Sequence, residues 1–173
     1  PSDVQLTEAE VGLIGQPRAQ FRLKDALVEQ ADSYDFVLID CPPALSMLTI
    51  NGLIAADGVI IPVQCEFFAL EGIAALIETI DQVRGSHNSD LVIDGVLRTM
   101  YDPRTSLTRQ VSQQLEQFFG DRVFKTVIPR NVRLAEAPSH GLPVLRYDRL
   151  SKGALSYLAL ASELRKRLKL KKA

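Results

Sequence analysis

The chain has 173 residues, 46% of them hydrophobic and 24% charged, with two cysteines, no tryptophan and a formal net charge of −1. That length and apolar content suit one globular domain spanning residues 1–173, able to bury about 70% of its unfolded surface, and exclude a polypeptide too polar to order itself. No run approaches the roughly 18 apolar residues of a membrane span, and the first residues lack the basic-then-apolar order of a secretion signal, so a cytoplasmic location with no membrane partner is expected.

The near-zero net charge conceals a division. Residues 1–97 hold 15 Asp and Glu against 4 Lys and Arg, a net −11, whereas residues 98–173 hold 6 against 16, a net +10. Six of those positive charges fall in residues 165–172 and suit a solvated basic helix, but the second half stays at +4 without them. Such asymmetry points to a surface that faces a polyanion.

In chain order, residues 4–14 are weakly amphipathic and Gly15-Gln16-Pro17 breaks them before a helical run over 18–31. Residues 36–39 and 59–63 are continuous apolar runs without alternation, the pattern of strands buried on both faces of a parallel sheet. Residues 45–56 between them have the length of a crossover helix. Leu70, Ile73, Ala74, Ile77, Ile80 and Val83 recur at helical spacing up to Gly85, and 91–97 reads as a strand. Leu107, Val111, Leu115, Phe118 and Phe119 stripe a helix over 105–119 that Gly120 ends, 123–128 forms a further strand stopped by Pro129, and a last helix covers 151–170. This alternation predicts an α/β fold with a doubly wound, mostly parallel sheet flanked by helices, in which ligands bind at the carboxyl ends of the strands.

The segments just after Ile39, Val63, Leu97 and Ile128 therefore carry the chemistry. Asp40 stands at the first, where a carboxylate can accept hydrogen bonds from magnesium-bound water while the cation bridges phosphate oxygens. Pro42 and Pro43 then hold the departing loop away from helix. A turn-forming Asp, or a phospho-acceptor Asp, would occupy the same position. Gln64 and Glu66 are polar groups after the second strand. Met100 and Pro129, after the third and fourth, offer apolar faces for a purine ring, and Asn131 can donate and accept along its edge. Arg104, Arg130 and Arg133 add cations beside those loops. Cys41 and Cys65, without His or Cys at metal-ligand spacing, read as buried, inert thiols, and His87 and His140 as loop residues outside any catalytic triad.

Four blocks extend the reading: 34–43 (Tyr-Asp-Phe-Val-Leu-Ile-Asp-Cys-Pro-Pro), 48–51 (Leu-Thr-Ile-Asn), 62–72 (Pro-Val-Gln-Cys-Glu-Phe-Phe-Ala-Leu-Glu-Gly) and 125–139 (Lys-Thr-Val-Ile-Pro-Arg-Asn-Val-Arg-Leu-Ala-Glu-Ala-Pro-Ser). Together with Tyr147-Asp148 and Ser151-Lys152-Gly153-Ala154 they closely resemble the ParA/Soj chromosome- and plasmid-partition ATPases over nearly the whole chain. The resemblance implies a deviant-Walker P-loop ATPase that forms a homodimer around ATP and Mg2+, binds nonspecific double-stranded DNA on the nucleoid in that state, and releases it after hydrolysis stimulated by a ParB-like centromere-binding protein. It also implies roles: Asp40 as the Walker B aspartate reaching magnesium through water, Pro42 and Pro43 in the switch loop, Met100, Pro129 and Asn131 in the adenine pocket, and Arg104 and Arg133 on DNA.

One departure is large. None of the ten glycines is followed by Lys, so no Gly-x-x-x-x-Gly-Lys-[Ser/Thr] phosphate cradle is present. Family members carry that loop and its strand before the region seen here, so this reads as a partial ParA-type domain, unable to hydrolyse ATP alone and weak or lacking in ATP binding. A nucleotide-independent DNA-binding fragment is the first alternative. A MinD-like membrane-cycling ATPase is the second, disfavoured because the tail lacks Trp and Phe on an apolar helix face.

Overall fold

The computed structural model describes residues 4–30, 33–42, 44–66 and 69–168. They fall into two compact units, one drawn from within residues 1–59 and 74–92 and the other from within 60–73 and 93–173.

In the first unit, α1 (Val4–Leu13) and a 3-10 turn (Ala19–Phe21) leading into α2 (Arg22–Leu27) gather on α3 (Met47–Ala55). The helical run expected over 18–31 is thus shorter: Arg18, with φ of 57°, opens it with a left-handed residue. Helix α3 is almost wholly apolar, and Leu53 and Ile54 are buried in this unit. Ser46 starts it by accepting a hydrogen bond from Leu48 N. Buried Asn51 ties the layers together, donating to Ala19 O at 3.0 Å and to Met47 O at 2.9 Å while accepting from Leu23 N at 3.1 Å. The long helix α4 (Ala69–Ser86) sends its C-terminal part into this unit, where Ile80 and Val83 are buried. Beyond it, Asn88 Nδ2 donates to Leu53 O, Ile54 O and Ala56 O and so closes the carboxyl end of α3.

The predicted strand over 36–39 is not formed: these residues carry no regular secondary structure, and Phe36, Val37 and Leu38 are exposed. A strand exists through its ladder, and no described segment supplies one here.

The second unit holds a three-stranded parallel sheet in the order β1 (Gly58–Gln64), β2 (Val92–Tyr101), β3 (Val123–Pro129). Central β2 buries four successive residues, Gly95 to Arg98, as a strand covered on both faces does. The run at 59–63, expected to be buried on both faces, instead alternates, with Ile61 and Val63 buried while Pro62 and Gln64 are exposed. Pro62 lacks a ladder donor and suits the edge position that β1 takes in this sheet. Helix α5 (Ser106–Phe119) follows β2, capped by Thr105 and buried along Thr108, Val111, Ser112, Leu115 and Phe119.

After β3 come α6 (Val132–Glu136), α7 (Val144–Tyr147) and α8 (Lys152–Arg167). Leu97, Phe124 and Ile128 form a core on which Ile60, Leu134, Leu160 and Leu164 pack. Gly95 is required there, because a Cβ would stand 2.5 Å from Phe124 Cε2 and 2.8 Å from Arg122 O. Helix α8 also guards the outer edge of β3. Glu163 accepts from Lys125 N and Thr126 N, both at 2.8 Å, and Arg167 donates to Val123 O at 2.8 Å and Arg122 O at 3.1 Å with its guanidinium 4.2 Å above the Phe124 ring. Backbone groups that would leave an open sheet edge are thereby filled by side chains.

Candidate functional site

The predicted site residues divide between the two units. In the first, Asp40 is exposed just after the apolar 36–39 segment. The loop after it is held by α3: buried Thr49 donates through Oγ1 to Ala44 O at 2.7 Å and to Pro42 O at 3.4 Å. Pro42 is exposed, and Pro43 lies outside the described residues. Cys41 is an exposed residue, contrary to the buried thiol expected, yet its Sγ is packed so close to α3 that a Cβ on Gly52 would come within 2.7 Å of it. Desolvation of that sulfur, followed by the neighbouring Asp40 charge, pushes the Cys41 thiol pKa up and keeps it protonated. Cys65 is buried as expected.

In the second unit, the carboxyl ends of β2 and β3 lie side by side. Tyr101 pairs with Pro129, and Arg130 N donates to Tyr101 O at 3.3 Å. That register brings the segments of Met100, Pro129 and Asn131 together at one end of the sheet. Met100 is exposed and has φ of 49°, a left-handed conformation that an unbranched non-glycine side chain adopts at a cost. Such outliers gather where a surface is shaped for a ligand. Asn131 caps α6, accepting from Leu134 N at 3.3 Å, and no hydrogen bond engages its Nδ2 among the described residues. Gly153 at the start of α8 lets this corner close: a Cβ there would stand 2.5 Å from Leu134 Cγ and 3.1 Å from Asn131 Oδ1.

Arg104, Arg130 and Arg133 are each matched by a carboxylate. Arg104 grips Asp102 with Nε at 2.9 Å and a terminal nitrogen at 2.7 Å, and that guanidinium holds the Asp102 carboxyl at a pKa of about 2. Arg133 meets Glu136 at 2.8 Å and Asp148 at 3.4 Å, and Tyr147 OH also donates to Glu136 at 3.2 Å. The bond from Arg133 is the main reason the Glu136 carboxyl lies below its usual range. Arg130 stands 3.7 Å from Glu66.

Sequence reasoning missed Arg98. It is buried in β2, donating to Ser112 Oγ and Glu116 Oε1 at 2.5 Å and to Phe124 O at 2.9 Å, and its Nε is the one buried side-chain polar atom without a partner among the described residues. A charged residue inside an apolar run was the available signal. His87 and His140 take part in packing, against Phe21 and Tyr147 respectively. Among the described residues no three His, Cys, Asp or Glu come together as a cation site, and no helix is long and apolar enough to cross a membrane.

The profile of a family described as AAA domain matches residues 1–93. Over 163 residues the chain is 52% identical to the sporulation initiation inhibitor protein Soj of Bacillus subtilis (strain 168), covering 94% of this chain and 64% of Soj. It is 50% identical over 167 residues to the chromosome partitioning protein ParA of Myxococcus xanthus (strain DK1622), covering 96% of this chain and 59% of that protein. The chain belongs to the ParA/Soj family.

The solved structure of cobyrinic acid a,c-diamide synthase from Mycobacterium smegmatis with bound ATP analog and magnesium is similar to this ParA/Soj chain with a TM-score of 0.80 and 34% identity, over 99% of this chain and 63% of that one. The chain thus spans under two thirds of the length of these relatives. The α/β architecture expected from the alternation of helices and strands is the one found.

Proposed function

We propose that this chain is the magnesium-, adenine- and DNA-facing portion of a ParA-like partition ATPase that binds ATP and nonspecific DNA to segregate chromosomes or plasmids. The observation that carries the nucleotide part is the paired end of β2 and β3. There β2 and β3 are locked in register through Tyr101 and Pro129, with a left-handed, exposed Met100 on β2 and Asn131 capping the helix that follows β3. An apolar face beside an amide with a spare donor is what an adenine ring requires. Bound magnesium would neutralise phosphate charge. Asp40 would reach it through water, since a lone carboxylate suffices where phosphate and water complete the shell. Pro42 and Pro43 would shape the loop beside the phosphates. Without a Gly-Lys phosphate loop among its 173 residues, this chain alone is expected to bind ATP weakly and not to hydrolyse it.

Arg104 and Arg133 would contact DNA phosphates, in agreement with the net +10 of residues 98–173. A ParB-like partner, an ATP-bound homodimer and a place on the nucleoid belong to the same proposal.

A fluorescent ATP analogue titrated with magnesium into the complete encoded protein tests the nucleotide part. Saturable binding that Met100→Ser and Asn131→Ala each weaken is expected, together with loss of the magnesium dependence in Asp40→Asn. Wild-type affinity in all three variants would refute these roles. Retention on a random-sequence duplex across a salt series tests the DNA part, and flat, weak binding would remove it.

A further inference from the structure

Arg104 does not present a bare charge. Its side chain is 86% exposed, yet it is closed on itself by the side chain two residues earlier, Asp102, which is only 20% exposed. Three donors of Arg104 converge on that carboxylate: the backbone N at 3.0 Å, Nε at 2.9 Å and a terminal nitrogen at 2.7 Å. The turn holds the Asp102 backbone, and Arg104 N fixes one oxygen of its carboxylate at 3.0 Å. Thr105 donates to Asp102 O through both its N at 3.3 Å and its Oγ1 at 3.2 Å, and the same Thr105 caps α5. An exposed ion pair between two free side chains contributes little because both must be immobilised. Here the turn has already immobilised one of them, and the other needs only to fold back in a fork-to-fork arrangement.

The pair has no net charge and occupies the guanidinium face that a phosphate would use. A duplex phosphate must displace or share Asp102, and while the pair stays closed it neutralises no phosphate and so releases none of the cations condensed on the DNA.

We propose that Asp102 is a built-in counterion that restrains Arg104 and sets how tightly this chain holds duplex DNA. The inference rests on the DNA reading above. The variant that isolates it is Asp102→Asn, which keeps an Oδ1 acceptor for Arg104 N and removes the charge that engages the guanidinium.

The experiment is fluorescence anisotropy of a labelled random-sequence duplex with the complete encoded protein, ATP and magnesium over a salt series. Circular dichroism and thermal melting show that the variant remains folded. One additional phosphate contact steepens the slope of log K against log salt by about 0.9, which corresponds to about eightfold tighter binding at 0.1 M salt. Asp102→Asn is expected to show both changes, and a purely structural role for Asp102 would leave the slope alone. Unchanged or weaker binding by Asp102→Asn overturns the inference, as does a gain that survives in the Asp102→Asn, Arg104→Glu double variant. If Arg104→Glu by itself leaves binding intact, the reading of Arg104 as a DNA contact falls and the restraint with it. If Arg104→Glu weakens binding and Asp102→Asn changes nothing, the restraint alone falls.

Discussion

Replacing Glu163 with Ala tests whether side chains of α8 hold the edge of β3. The carboxylate takes two backbone N–H bonds, from Lys125 and Thr126 at 2.8 Å, and one from Arg167 at 2.9 Å. Hydrogen bonds to a charged group each contribute about 1.5–3 kcal/mol. The Glu163 side chain is 18% exposed, so water can reach the vacated N–H groups, and the lower end applies. The two backbone bonds at that lower end, discounted because water solvates the vacated N–H groups, give an expected loss of about 2–3 kcal/mol, which is about 4–12 °C in Tm for a chain of this size.

The effect has a pH signature. Desolvation raises the Glu163 pKa, but the Thr126 and Lys125 N–H groups and Arg167 outweigh it and bring the carboxyl down to about 2 from 4.5. A depressed carboxylate stabilises the fold fully above its unfolded value and loses that contribution as pH falls through the folded one. The gap between wild type and Glu163→Ala should therefore be full at pH 7 and narrow by about half or more near pH 3. Urea unfolding at both pH values, with m unchanged, measures it. A gap below about 0.5 kcal/mol at pH 7, or one that does not depend on pH, would refute the edge-guarding role.

Gly95→Ala should cost about 1–3 kcal/mol in urea unfolding, because the added methyl group meets Phe124 and Arg122 O. Arg98→Met removes the buried guanidinium but orphans Phe124 O and Ser112 Oγ, so a loss of about 2–3 kcal/mol is expected; a neutral result would mean that water serves these groups. Thr49→Val should lower stability by about 1 kcal/mol and speed amide exchange in the loop of Ala44, since the hydroxyl fastening that loop to α3 is gone.

How much was legible in the sequence depended on where each segment finds its partners. Helices α3, α5 and α8 announced themselves because their signals are local: a stripe of Val111, Leu115 and Phe119, Gly120 at an end, and segments of helical length between turn residues. Strands β1, β2 and β3 were legible for a similar reason, as apolar runs bounded by turn residues, although β2 continues to Tyr101, beyond the predicted limit.

The segment 36–39 has an equally strong apolar run and is not a strand, because pairing is a property of a neighbour and not of the run itself. Among the proposed site residues, the types and order of Asp40, Met100, Arg104, Pro129, Asn131 and Arg133 were readable along the chain. Their electrostatic state was not. That Arg104 faces Asp102, that Arg133 is shared between Glu136 and Asp148, and that Arg98 bridges β2, α5 and β3 follows from distances between atoms. Sequence determined where the longer helices run and where cations accumulate, because periodicity and charge are carried by the residues themselves, but not the short α6 and α7. Tertiary structure decided which runs are paired and which charges are free, because hydrogen bonds and Coulomb attraction act over a few ångströms in space whatever the separation along the chain.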